Sequence, residues 1–122
     1  MIDHMTLRVR DYGKSKAFFE AALKPLGYEV LMEFQGFAGL GAKKKPDFWL
    51  AAAEDRQYSQ LHIAFRAESR KAVKAFYDAA IKAGAKDNGA PGPRADYHPD
   101  YYGAFVLDPD GHNIEACCHD PE

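Results

Sequence analysis

Three side chains of the kind that bind divalent metals stand at related places in this chain: His4, His62 and Glu115. Each histidine begins a segment that alternates polar and apolar residues, as a half-buried strand does. Glu115 lies in the last such segment, residues 112–118, on the face opposite Ile114. Two neutral imidazoles and one carboxylate leave coordination positions open for substrate or oxygen, and they suit Fe(II), Mn(II), Ni(II) or Zn(II). These three residues are therefore predicted to hold a metal.

A lone histidine on a strand is more often a packed or surface residue than a ligand, so the hypothesis depends on an internal repeat. Residues 4–24 align without a gap on residues 62–82. The identical pairs are His4/His62, Arg8/Arg66, Lys16/Lys74, Ala17/Ala75, Phe18/Phe76, Ala21/Ala79, Ala22/Ala80 and Lys24/Lys82. The repeat places the two histidines at equivalent positions. It predicts one domain built from two modules, residues 1–56 and 57–122.

Each module reads as a strand, a helix and further strands. In the first module the predicted elements are a strand at 2–9, a helix at 15–24 and strands at 28–34, 37–41 and 47–53. In the second they are a strand at 61–65, a helix at 69–83, a short strand at 85–88, a loop from residue 89 and a hairpin of 101–107 with 112–118. The pattern predicts an α+β fold of two tandem βαβββ modules, with a curved mixed sheet and helices on its outer face.

Composition excludes several classes of partner. The 122 residues carry a formal net charge of -2, which offers no attraction to nucleic acid or to an anionic membrane. No apolar run reaches the length of a spanning helix, and the N-terminus lacks the pattern of a signal peptide. The adjacent cysteines, Cys117 and Cys118, do not form a disulfide framework. A cytoplasmic protein with a small-molecule substrate is expected.

The loop that precedes the final hairpin is dense in aromatic and titratable groups. His98 is a candidate general acid or base. Tyr97, Tyr101 or Tyr102 would donate a hydrogen bond to an anionic intermediate, and Tyr101 is also assigned to the substrate pocket. In the alternative interpretation, the tyrosines cover the open end of the sheet and His98 is solvated.

Other polar-face residues have two interpretations each. Arg8 and Arg66 would hold a substrate carboxylate or phosphate, or would pair with acidic neighbours. Arg94 is a weaker candidate for binding an anion. Trp49 would form a wall of the substrate pocket, or would serve packing alone. Cys117 is either a thiol beside the metal or a small buried apolar residue.

Three stretches resemble the vicinal oxygen chelate superfamily: residues 2–11, 61–65 and 105–115. This superfamily includes glyoxalase I, extradiol dioxygenases, fosfomycin-resistance thiol transferases, methylmalonyl-CoA epimerase and bleomycin-resistance proteins. The closing stretch, with its Asp108-Pro109-Asp110-Gly111 turn, is the most specific of the three. The resemblance implies a glyoxalase-like fold with His4, His62 and Glu115 at the metal-ligand positions. It also implies a homodimer, usually with modules from both subunits at each site.

One residue departs from the glyoxalase I pattern. Aligning Asp47-Phe48-Trp49 with Asn113-Ile114-Glu115 puts Trp49 where glyoxalase I has a fourth ligand, and the N–H of an indole does not bind metal. The leading hypothesis is therefore a metal-dependent enzyme that acts as a Lewis acid on an oxygenated substrate, with lyase or isomerase, dioxygenase or thiol-transferase chemistry. The alternative is a metal-free protein of the bleomycin-resistance type that binds a drug or metabolite.

Overall fold

A computed structural model describes residues 2–53 and 61–121. The first module contains β1 (Met5–Val9), α1 (Tyr12–Leu23), a 3₁₀ turn (Lys24–Leu26), β2 (Glu29–Phe34), β3 (Phe37–Gly41) and β4 (Phe48–Ala52). The second contains β5 (His62–Arg66), α2 (Arg70–Lys82), β6 (Lys86–Pro93), β7 (Tyr102–Leu107) and β8 (Asn113–Cys118). The predicted boundary between the modules, at residues 56 and 57, lies outside the described residues. No helix in the described ranges has the length and apolar character needed to cross a membrane.

The strands form two sheets of the same topology. Sheet A has the strand order β1-β4-β3-β2, and sheet B has the order β5-β8-β7-β6. In each sheet the first and last strands of the module pair in parallel, and the remaining neighbours are antiparallel. The predicted α+β fold of two βαβββ modules is confirmed, with the strands divided equally between two sheets.

One hydrophobic core joins the two modules. Along β1, Leu7 and Val9 are buried, and the residues between them are exposed. Phe48 of the first module lies between Phe19, at a ring-centroid distance of 5.1 Å, and Phe65 of the second module, at 5.2 Å. Both contacts are edge-to-face, the arrangement that aromatic rings favour. The helices pack on this core and leave the other face of each sheet, here called its open face, without a helix.

Both helices begin at a side-chain cap. The Asp11 carboxylate accepts a hydrogen bond from the backbone N–H of Lys14 at 3.0 Å, so α1 begins at Tyr12, three residues before the predicted start. Ser69 caps α2 in the same way through the N–H of Ala72.

The prediction of a loop from residue 89 was wrong for residues 89–93, because β6 continues through Lys86–Pro93, and it was confirmed for residues 94–100. Among the described strands β6 lies at the edge of sheet B and pairs with β7 alone, so the missing N–H groups of its two prolines interrupt no second ladder there. Its register with β7 shifts between Asp87 and Gly89 and again between Gly89 and Gly92. Gly89 has a φ of 147°, a value that favours glycine. A bulged edge strand tolerates a composition that otherwise indicates a loop.

The turn between β7 and β8 connects distant parts of the chain. Asp108 accepts hydrogen bonds from the N–H groups of Asp110 and His112, and burial raises the pKa of its carboxyl. His112 is buried, and its Nδ1 accepts from the N–H of Leu61 at 2.9 Å. Asp110 accepts from the backbone N–H of Arg10 at 3.1 Å. The turn therefore holds the end of β1 and the start of β5 beside β8.

Candidate functional site

The register of sheet B places a polar cluster on its open face. Glu115 of β8 lies between Ala64 of β5 and Phe105 of β7. His62 begins β5 opposite Asn113, two residues before Glu115 on β8. Because directly opposite residues point to the same side of a sheet, these side chains share the face that α2 does not cover.

His62 and Glu115 are brought together. Nε2 of His62 lies 3.1 Å from Oε1 of Glu115, and Nδ1 lies 3.1 Å from the backbone carbonyl oxygen of Asn113. A carbonyl oxygen only accepts, so Nδ1 carries the proton and Nε2 of a neutral His62 has a lone pair. That lone pair faces a carboxylate oxygen of a residue that is only 2% exposed. Two acceptors at this distance need a proton or a cation between them.

The second oxygen of Glu115 is held by Tyr101, whose hydroxyl donates to Oε2. Burial and this hydrogen bond to a carboxylate raise the pKa of Tyr101, which keeps its hydroxyl a donor. Gly103 makes room for the contact, because a Cβ there would lie 3.1 Å from Oε2 and 3.2 Å from the Tyr101 ring. The Glu115 carboxylate is thus fixed on both sides.

His4 does not join this pair within one chain. It precedes β1, which belongs to sheet A, and its Nδ1 lies 2.8 Å from the Asp3 carboxylate. Residues 2–53 and 61–121 contain no group of three or more His, Cys, Asp and Glu side chains placed to hold a metal ion. The single chain therefore brings together two of the three predicted ligands, His62 and Glu115.

Trp49 occupies in sheet A the place of Glu115 in sheet B. It pairs with Thr6 on the neighbouring parallel strand, as Glu115 pairs with Ala64, and Thr6 aligns with Ala64 in the internal repeat. Its indole lies across Gly39, where a Cβ would approach the ring to 2.8 Å. The open face of sheet A thus carries an aromatic ring where that of sheet B carries a carboxylate.

The two predicted arginines lie on different open faces. Arg8 of β1 is exposed and pairs with Ala51 of sheet A. Arg66 of β5 is exposed on the same side as His62 and pairs with Cys117. The Cys117 side chain is nearly buried, and burial raises the pKa of its thiol, which disfavours the reactive thiolate.

The tyrosines that were predicted to act at the site do not all lie on the open face of sheet B. Tyr101 points to Glu115, whereas Tyr102 is buried against the cationic side chains of α2, with the Arg70 guanidinium 4.9 Å from its ring. Adjacent residues at the start of a strand point to opposite faces, so Tyr102 lies on the helix side of sheet B, away from Glu115. Tyr97 is 64% exposed and contacts Tyr101 edge-on at 5.1 Å.

His98 is exposed and does not contact Glu115 within the described residues. Its Nδ1 accepts from the N–H of Asp100 at 3.1 Å, and its ring lies 5.7 Å from that of His119. His119 in turn contacts the Tyr101 ring at 4.9 Å. His119 was not predicted from the sequence. Its two-residue spacing from Cys117 is the signal that would have placed it near Glu115, since an extended chain puts residues 115, 117 and 119 on one side.

Two asparagines complete the open face near His62: Asn113, which strand alternation places on the same face as Glu115, and Asn88, which was not predicted. Asn88 donates from Nδ2 to the side-chain oxygen of Asn113 at 3.2 Å. Asn88 stands at the first register shift of β6, and only the bulge brings it across β7 toward β8. Sequence alternation alone gives no means to place a residue at a bulge.

Several solved structures share this fold. A glyoxalase/bleomycin resistance protein from Albidiferax ferrireducens T118 has 26% identity and a TM-score of 0.82, over 95% of this chain and 97% of that one. A glyoxalase/bleomycin resistance protein/dioxygenase family enzyme from Burkholderia phytofirmans PsJN has 20% identity and a TM-score of 0.75, over 98% of both chains. A glyoxalase-related enzyme from Fulvimarina pelagi has 17% identity and a TM-score of 0.70, over 97% of this chain and 87% of that one.

The sequence itself matches the family model of the Glyoxalase/Bleomycin resistance protein/Dioxygenase superfamily over residues 1–116. The chain belongs to that superfamily, as the three resembling stretches predicted. Comparison with curated proteins yields no match.

Proposed function

We propose that the protein is a metal-dependent enzyme whose divalent cation is held by His62, Glu115 and a His4 side chain. The observation that supports this most directly is the approach of Nε2 of His62 to Oε1 of Glu115, at 3.1 Å. Metal–nitrogen and metal–oxygen bonds are close to 2.1 Å, so two ligands at right angles around one ion are about 3.0 Å apart. The pair therefore has the spacing of neighbouring ligands, and a bound cation would satisfy both acceptors.

The third ligand is proposed to come from a second copy of the chain. His4 immediately precedes β1 of sheet A, where the Met32, Phe34 and Phe37 side chains are between 43% and 59% exposed. Their ladder pairing puts these three residues on the open face, in register with Thr6 and Arg8. An apolar face of this kind favours burial against a partner. A homodimer that places sheet A of one subunit over sheet B of the other would bring His4 to His62 and Glu115.

The bound cation would supply Lewis acidity toward two adjacent oxygens of a small oxygenated substrate. The Tyr101 hydroxyl would hold Glu115 in its ligand orientation, and Trp49 and Arg8 of the partner's sheet A would face the substrate from the other side. Trp49 at the fourth-ligand position leaves no carboxylate there to shuttle a substrate proton, which disfavours true glyoxalase I. Lyase or isomerase chemistry is the leading class by resemblance, and dioxygenase and thiol-transferase chemistry are the alternatives that the three-ligand pattern resembles.

The test is metal content after mixing two inactive variants, His4→Ala and Glu115→Ala. Each variant alone is expected to lose metal. If the sites are shared between subunits, half of the dimers in an equal refolded mixture contain both chains, and each of these has one intact site. About a quarter of the wild-type metal per chain should then return. The readout is elemental analysis of Fe, Mn, Ni and Zn after reconstitution with each ion.

A mixture that stays metal-free while wild type binds metal would place all three ligands in one chain and sink the shared site. A wild type that binds none of the four ions would sink the metal-dependent enzyme itself. The pair His62→Ala and Glu115→Ala serves as the control mixture, because both changes fall on the same half-site and no intact site forms in the mixed dimer.

Tyr101→Phe is expected to lower metal affinity by roughly tenfold to 100-fold, because groups that orient a metal ligand contribute effects of that size. The change removes the hydroxyl that donates to Glu115 and keeps the ring against Tyr97 and His119. Competition with a metal-binding dye measures the affinity. Tyr97→Phe is the matched control, since its ring is 64% exposed. Equal affinities in the two variants would contradict the positioning role of Tyr101.

A second candidate is a metal-free binding protein of the bleomycin-resistance type. The observation that favours it is the aromatic and apolar surface of the open faces, with Trp49 and Phe37 on sheet A and Tyr97 beside sheet B. Such surfaces bind flat aromatic or cationic molecules. For either function, a cytoplasmic setting is proposed from the two free, buried cysteines.

A further inference from the structure

Arg94, which follows β6, is held in a fixed place on the open face of sheet B. Its Cζ lies 5.4 Å from the centre of the Phe105 ring. Nη2 donates to the carbonyl oxygen of Ala90 at 2.8 Å, and Nη1 donates to that of Pro93 at 3.2 Å. A stacked guanidinium with two backbone hydrogen bonds has lost most of its rotamer freedom before any ligand arrives.

Two glycines of β6 make this placement possible. A Cβ at Gly89 would lie 3.3 Å from Nη2 and 3.0 Å from the Phe105 ring. A Cβ at Gly92 would lie 3.0 Å from Nη1. A side chain at either position would crowd the guanidinium, which would have to shift by a few tenths of an ångström from its place on the ring. The glycines that interrupt the strand pattern therefore serve to seat the Arg94 side chain.

The Arg94 guanidinium has no carboxylate partner within residues 2–53 and 61–121. Lys16 pairs with Glu33, and Lys45 pairs with Asp3, but the contacts of Arg94 are two carbonyl oxygens and an aromatic ring. A guanidinium has five N–H donors, so three of them remain available. The side chain thus combines full charge, a fixed orientation and free donors.

We propose that Arg94 binds an oxyanion group, a carboxylate or a phosphate, of the substrate. This inference rests on the proposed function of the same face. The Phe105 ring that supports Arg94 also stacks on His62, at a centroid distance of 6.2 Å and an interplanar angle of 24°. A small anionic molecule would place its oxyanion at Arg94 and its vicinal oxygens toward His62 and Glu115. The substrate class is accordingly an oxygenated organic acid or phosphate ester.

The test uses metal-free protein, so that its result is independent of the metal proposal. The Nε–Hε resonance of Arg94 is followed by NMR during titration with inorganic phosphate and, separately, with acetate, at constant ionic strength. Wild type should show a saturable shift with at least one of the two anions, and the stronger of them identifies the group. Arg94→Gln should weaken binding at least about tenfold, as judged from the backbone amides of residues 92, 94 and 95.

Gly92→Ala separates orientation from charge, because it keeps the arginine and displaces it. It should weaken binding severalfold, whereas Gly13→Ala, where a Cβ meets nothing closer than 3.8 Å, should not. Lys82→Gln removes one positive charge from the exposed surface of α2, on the other side of sheet B, and should leave binding unchanged. The proposal fails if wild type shows no saturable shift, if Arg94→Gln binds as wild type does, or if Lys82→Gln weakens binding equally.

Discussion

Glu115→Gln is expected to lower the affinity for the divalent cation by at least about 100-fold while leaving the protein folded. The carboxamide has the shape of the carboxylate, and its oxygen still accepts from the Tyr101 hydroxyl. It lacks the negative charge that makes a carboxylate oxygen a stronger ligand than an amide oxygen for a divalent cation. Metal content per chain measures the loss of the cation, and a thermal melt of the same sample shows whether the protein is folded.

Glu33→Gln is a close control for this change. Glu33 also accepts from a tyrosine hydroxyl, that of Tyr12, and from a cationic side chain, that of Lys16. It lies on β2, outside the candidate site. Its variant should keep the wild-type metal content. Full metal content in Glu115→Gln would show that Glu115 is not a metal ligand. If Glu115→Gln binds no metal but keeps the wild-type affinity for a drug or metabolite, the metal-free binding protein is favoured.

Phe48→Ala is expected to lower the free energy of unfolding by about 3–5 kcal/mol. The side chain is 1% exposed and contacts one ring from each module, Phe19 and Phe65. Removing it opens a cavity at the place where the two modules share their core. Urea unfolding followed by circular dichroism measures the loss.

Because Phe48 belongs to the common core, the two modules of the variant should still unfold in one transition. Ile2→Ala is the control, since Ile2 is 84% exposed and should change stability by less than about 0.5 kcal/mol. Separate transitions for residues of sheet A and sheet B, seen by hydrogen exchange, would show that the core does not couple the modules.

The internal repeat and strand alternation predicted the fold and the meeting of His62 with Glu115. Both are consequences of which residues are apolar, and apolar residues determine register. The contact of Tyr101 with Glu115 could not be predicted from the repeat or from alternation. Tyr101 and Tyr102 are adjacent and chemically alike, and only the pairing of β7 with β8 decides which of them faces the carboxylate. The same limit applies to β6, whose glycines and prolines indicate a loop until its edge position is known.

The place of His4 shows a different limit. Alternation predicted His4 on the polar side of the first strand, but β1 begins at Met5 and belongs to sheet A, whereas His62 and Glu115 belong to sheet B. A repeat shows that two positions are equivalent. It does not show whether equivalent positions meet within one chain or across two chains.

The equivalent positions of Trp49 and Glu115 have a consequence for the orientation of a bound substrate. Two identical half-sites facing each other would present a substrate with the same groups from both sides, so the molecule would bind equally well in either of two orientations. With an indole in one half-site and a carboxylate in the other, the two orientations differ in energy. The difference between Trp49 and Glu115 at equivalent ladder positions thus gives the proposed site two unlike ends, which favours one direction of binding for an unsymmetrical substrate.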